Sequence, residues 1–116
     1  MENKKLNEAN LEANELKALR ELKNRLLEKF SDAKIILYGS KARGDSTPES
    51  DIDVVILVDE FFIKGAEDEV ITIAFEIDLK YDVVFSVVVN SKSDWNSSLT
   101  KEMPFYREVS KYGVAL

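Results

Sequence analysis

Asp51 and Asp53 stand one residue apart in Ser50-Asp51-Ile52-Asp53, directly before the apolar run Val54-Val55-Ile56-Leu57-Val58. If that run is a strand, positions i and i+2 point to the same side, so the two carboxylates share one face of a sheet. Like charges held together repel, and burying them uncompensated costs on the order of several kcal/mol. A divalent cation between them resolves the conflict. The chain has no cysteine and no histidine, which leaves oxygen ligands and a hard cation such as magnesium, calcium or manganese. Upstream, a second apolar run, Lys34-Ile35-Ile36-Leu37-Tyr38, breaks at Gly39-Ser40. A glycine at a strand end lets a phosphate approach the backbone, and the following amide and hydroxyl can donate to its oxygens. Lys41 and Arg43 add positive charge nearby. Alone, an Asp-x-Asp is more often a solvated strand mouth and a Gly-Ser an ordinary turn. Their conjunction, each half on its own strand, is what points to a phosphate site beside a metal site.

Taken together, Gly39-Ser40, Ala42-Arg43-Gly44 and Ser50-Asp51-Ile52-Asp53 resemble the Gly-Ser…Asp-x-Asp signature of the nucleotidyltransferases related to DNA polymerase beta. The pattern looks closest to their small stand-alone branch, the minimal nucleotidyltransferases often paired with HEPN-domain proteins. The resemblance covers residues 35–58 and, by the order of elements, reaches to about residue 90. It implies that Gly39 and Ser40 bind the β- and γ-phosphates of a nucleoside triphosphate, with Arg43 beside them. It implies that Asp51 and Asp53 hold two magnesium ions, and that a carboxylate on a later strand completes the site. Asp82, at the expected opening of the third strand, is the residue assigned to that place; Asp78, near a helix end, is its rival. The implied reaction is transfer of a nucleoside monophosphate, AMP from ATP, to a hydroxyl acceptor with release of pyrophosphate. The implied partner is a HEPN-domain protein or a second copy of the chain. The alternative is an antitoxin-like binding subunit that neutralises a HEPN-type toxin with little catalysis of its own. An Asp-x-Asp glycosyltransferase would need a larger sugar-nucleotide domain than 116 residues supply.

The elements that must position these residues follow from periodicity. Residues 4–30 read as an amphipathic helix, with Leu16, Leu19, Leu22, Leu26 and Phe30 on one face. Glu15, Lys17, Arg20, Glu21, Lys23, Arg25 and Glu28 fall on the charged face. Residues 34–38 and 51–58 read as buried strands, and residues 41–49 as a loop that opens with a helical turn. Residues 66–79 form a second helix whose inward stripe is Val70, Ile73, Ala74 and Ile77, and residues 81–89 a third strand. A short helix surrounds Trp95, and a last one runs from near Pro104 to before Gly113. Trp95, Phe105 and Tyr106 read as core, and Phe61-Phe62 as loop anchors. The expected fold class is α/β (α+β): a short mixed β-sheet flanked by helices with an N-terminal amphipathic helix, which the resemblance names the nucleotidyltransferase fold. One domain over residues 1–116 is expected, made of the N-terminal helix (1–30), a catalytic core (35–90) and a C-terminal helical segment (91–116).

Composition narrows the partners. The net charge is −6, and beyond residue 30 nine Lys/Arg face sixteen Asp/Glu. An acidic body cannot grip long nucleic acid through its phosphates. It can bind one nucleotide, because a metal supplies positive charge locally. No run is long and apolar enough to span a membrane, and Met1-Glu2-Asn3-Lys4-Lys5 opens no signal peptide; a soluble, cytoplasmic protein is expected. Little length lies outside the core, so the acceptor is expected on another chain.

Overall fold

The computed structural model describes residues 11–47 and 49–116. The part of the predicted N-terminal helix before residue 11, and Pro48, lie outside the described residues. Helix α1 (Ala13–Lys29) starts where the Glu15 carboxylate accepts a hydrogen bond from the Glu12 N–H at 2.8 Å. It turns Ala18, Leu19, Leu22 and Leu26 inward. Strand β1 (Lys34–Tyr38) follows, then a short helix α2 (Gly39–Arg43) where the sequence predicted a loop opening with a helical turn. Gly44, with φ of 90°, closes that helix in the left-handed conformation glycine tolerates.

Strand β2 (Ile52–Val58) is buried at every position except Asp53, which is half-buried. A single 3₁₀ turn (Glu60–Phe62) leads to α3 (Ala66–Tyr81), β3 (Phe85–Ser91), α4 (Lys92–Trp95), α5 (Ser98–Lys101), α6 (Pro104–Tyr112) and β4 (Val114–Ala115). The sheet order is β3-β2-β1-β4. β1 runs antiparallel to β2 and β4, while β2 and β3 are parallel. The sheet is therefore mixed, as expected, with helices covering it in an α+β architecture.

The two faces carry unequal cores. Ile35, Leu37, Ile52, Val54, Ile56 and Val58 pack under α1 and α3 in the larger one. Alternate positions Ile36, Val55 and Leu57 meet Trp95 and Val109 in a smaller one on the opposite face. Tyr38, Val88, Phe105 and Tyr106 border that second core. At about 25 cal/mol per Å² of apolar surface, the larger core supplies most of the hydrophobic stabilisation. The smaller face is left partly open, and it is the face to which Asp53 belongs.

Three expectations need correction. The third strand opens at Phe85 and not at Tyr81, because α3 continues for two residues beyond Leu79. Its last turn is held by Glu21 of α1, which accepts hydrogen bonds from Lys80 Nζ at 2.7 Å and Tyr81 Oη at 2.9 Å. Asp82 is consequently the helix C-cap, with φ of 55°, and not a strand residue. Glu15, expected on the solvated face of α1, is buried. Strand β4 is too short for any sequence pattern to announce it.

Candidate active site

Asp53 is placed by the register of the sheet. It pairs with Tyr38 across the antiparallel β1–β2 ladder and with Ser86 across the parallel β2–β3 ladder. Paired residues share a face, so one row on the open side of the sheet reads Tyr38, Asp53, Ser86. Asp51 lies two residues earlier, at the exposed mouth of the same strand. Asp51 precedes the first strand residue, Ile52, and its charge acts on Asp53.

Gly39 presses its backbone against this carboxylate. Its φ of 73° is left-handed, and a Cβ there would run into Asp53 Oδ2. Only glycine lets the turn after β1 come this close. The electrostatics agree with the crowding. Burial, and then the Asp51 carboxylate, push the Asp53 pKa above its ordinary value, while Arg43 pulls it down more weakly. The Tyr38 hydroxyl is also pushed up, by burial first and by the Asp53 charge second, so it stays protonated as a donor.

Gly39, Ser40, Arg43 and Asp53 line one hollow of about 470 Å³. Its far wall comes from α6, through Pro104, Phe105 and Glu108. Arg43 Nη1 reaches Glu108 Oε1 at 2.5 Å, and Arg43 Nε reaches Asp45 Oδ2 at 3.2 Å, so the rim bridges α2 and α6. The Phe105 ring stands edge-on to Tyr38, with centroids 5.2 Å apart.

Asp82 is not part of this hollow. It lines a different depression, alongside Glu49 and Ser50 and facing Glu12, Asn14 and Glu15 of the α1 start. The β3 position level with Asp53 carries the hydroxyl of Ser86. Asp78 lies in the last turn of α3, where its Oδ1 accepts a hydrogen bond from the Phe85 N–H at 3.0 Å. Burial raises its pKa, that bond lowers it, and the Asp51 charge raises it again. The Asp78 charge thus reaches Asp51. Among the described residues, no three side chains of the His, Cys, Asp and Glu types gather closely enough to hold a metal ion on their own.

The pair still fits magnesium. That ion is usually bound by one or two carboxylates, with substrate phosphates and water filling its remaining positions. Asp51 and Asp53 are mutually repelling oxygen donors at a strand mouth beside the Gly39 turn, and no soft ligand competes with them.

Two features of the site were not legible as such. Lys41, read as positive charge beside the phosphate turn, is buried at 2% exposure, and its Nζ lies 2.8 Å from Glu15 Oε2. It also donates to the Thr47 carbonyl at 3.4 Å. This pair ties the turn after β1 to the start of α1. The second feature is the α6 wall, which helical spacing could assign to the core but not to the rim of the hollow.

The chain is similar to known proteins along most of its length. Residues 19–109 match the family described as nucleotidyltransferase domain. A protein of Methanocaldococcus jannaschii named a putative protein adenylyltransferase is 41% identical over 105 residues, covering 89% of this chain and 98% of its own. Another protein of that organism with the same description is 41% identical over 81 residues, 70% of this chain and 75% of its own. A match across most of the chain, joined to this identity over nearly the whole of a relative, means that the chain belongs to the nucleotidyltransferase domain family and is a nucleotidyltransferase.

Proposed function

We propose that the chain transfers AMP from ATP to a hydroxyl on a protein acceptor, releasing pyrophosphate. One observation carries this: Gly39, Ser40, Arg43 and Asp53 open onto a single hollow, and the Asp51 carboxylate, two residues from Asp53, acts on its charge. The choice of ATP and of a protein acceptor is supported by the adenylyltransferase names of the relatives.

Gly39 and Ser40 receive the β- and γ-phosphates, and Arg43 offsets their charge. Asp51 and Asp53 act as carboxylates, so both must be ionised before the site can hold its two magnesium ions. Bound there, magnesium supplies charge neutralisation at the attacking and leaving oxygens of an in-line displacement. The acceptor oxygen bonds to the α-phosphorus, the bond from that phosphorus to the β-phosphate bridge oxygen breaks, and pyrophosphate leaves. The acceptor proton passes to a carboxylate at the strand mouth or to water. Catalysis is thus positioning and electrostatics, with no covalent enzyme intermediate.

A second reading, a partner-binding subunit of the antitoxin kind, is favoured by α3. Ile71, Phe75 and Leu79 stand exposed at i, i+4 and i+8, an apolar stripe with no cover among the described residues. A protein partner, a HEPN-domain protein or a second copy in the terms of the resemblance, is proposed for it.

The test incubates the chain with magnesium and ATP labelled at the α-phosphate in a cell lysate. Label is expected on a protein and is lost with Asp51→Asn/Asp53→Asn. If the wild-type chain binds no nucleotide in the presence of magnesium, the transfer reading falls. If a partner is bound and inhibited equally well by the double variant, binding is the function.

A further inference from the structure

The wall that α6 contributes has no role in the chemistry above, yet it lines the same hollow. Phe105 is half-buried, so part of its ring is covered and part is turned to solvent. The covered part is fixed by two edge-on neighbours, Tyr38 at 5.2 Å and Trp95 at 6.0 Å between centroids. Two such contacts hold a ring in one orientation. Pro104, exposed at the helix start, extends the apolar surface alongside it. Gly39, Ser40 and Asp53 line the same hollow, and the Arg43–Glu108 ion pair at 2.5 Å bridges α2 and α6 at its rim. A volume of about 470 Å³ is in the range of small-molecule sites.

A nucleoside triphosphate has one polyanionic end and one flat, weakly hydrated end, joined by a sugar. The hollow has the same polarity: a turn and a carboxylate on one wall, a held aromatic ring and a proline on the other. We propose that Phe105, backed by Pro104, is the stacking platform for the nucleobase of the triphosphate. This inference rests on the nucleotidyl-transfer reading of the hollow and adds to it where the base goes. Stacking is tolerant of base identity, so the platform supplies affinity for any nucleobase and binds purines, with their larger rings, more tightly.

The test compares three ligands, each with magnesium: ATP, ribose 5-triphosphate without a base, and tripolyphosphate. The wild-type chain is expected to bind ATP roughly tenfold more tightly than ribose triphosphate. Phe105→Leu, which keeps an apolar side chain against Tyr38 and Trp95, is expected to lower ATP affinity to the ribose triphosphate level. It should leave the affinity for the two base-free ligands unchanged. Phe105→Trp should restore the preference for ATP. If the wild-type chain binds ATP and ribose triphosphate equally, the platform is overturned while the transfer reading stands. If Phe105→Leu weakens all three ligands alike, its role is structural and the inference is equally overturned. If ATP affinity survives Phe105→Leu but labelling of a protein acceptor is lost, the wall serves the acceptor instead. If the wild-type chain binds none of the three, the transfer reading itself fails. The wild-type comparison needs no variant, so it can overturn the platform even where Phe105→Leu unfolds, and Phe105→Trp then tests the assignment to this side chain.

Discussion

Asp53 is the residue at which fold and chemistry oppose each other. Its carboxyl is pushed above the ordinary aspartate range by burial and by Asp51. A carboxyl whose folded pKa is raised binds more protons in the native than in the unfolded chain. The native state therefore loses stability as pH rises from the ordinary value through the raised one, and stays penalised at neutral pH. Asp53→Asn removes that penalty. In metal-free buffer at pH 7 it is expected to raise the unfolding temperature by about 2–4 °C, a gain that vanishes near pH 4. The same substitution should cut nucleotidyl transfer by on the order of a hundredfold or more. Thermal unfolding with a chelator present and incorporation of labelled nucleotide check the two halves separately. Asp82→Asn is expected to leave transfer within about threefold, because that side chain opens onto a different depression. Gly39→Ala places a Cβ on Asp53 Oδ2 at a left-handed φ of 73°, and is expected to cost about 1–3 kcal/mol in urea unfolding together with most activity.

At the scale of elements, the turn after β1 is anchored from behind. Lys41 and Glu15 form a buried pair between α2 and α1, and Lys41 also holds the Thr47 carbonyl of the loop that leads to Asp51. Removing one member leaves the other charge buried without its partner, which typically costs about 3–5 kcal/mol. Lys41→Met and Glu15→Leu should each destabilise by that amount. The double variant should recover most of the loss, because two apolar side chains of similar size leave no charge unpaired. A double-mutant cycle in urea measures this coupling. If the two single losses simply add, the pair is not the anchor. Nearby, α3 meets α1 through Tyr81 and Glu21, and β3 then begins at Phe85 with Ser86 level with Asp53.

For the whole molecule, the edge of the sheet beside β1 depends on residues 114–116. Val114 and Ala115 pair with Leu37 and Ile36 along β1, and the Leu116 N–H donates to the Ile35 carbonyl at 3.0 Å. Without them β1 becomes an exposed edge, a template for pairing with other chains. Removal of residues 114–116 is expected to lower the unfolding temperature by about 5–10 °C and to cause concentration-dependent self-association. Light scattering beside thermal unfolding reads both effects. Among the described residues no helix is long and apolar enough to cross a membrane.

Much of this protein follows from local pattern. The Gly39-Ser40 turn, the Asp51-x-Asp53 spacing and the apolar runs around them follow from single-residue conformational rules and a side-chain period of two, both of which a linear chain displays. The bounds of β1 and the face of α1 followed for the same reason. What depends on contacts between distant segments was decided only by the tertiary structure. α3 runs on to Tyr81, its last turn meeting Glu21 far upstream, so Asp82 became a cap and Ser86 took the place level with Asp53. The burial of Lys41 is set by Glu15, and the far wall of the hollow by the packing of α6 on Tyr38. A charged residue or an aromatic one looks alike in sequence whether solvent or another segment meets it, because burial is a property of the assembled surfaces and not of the residue.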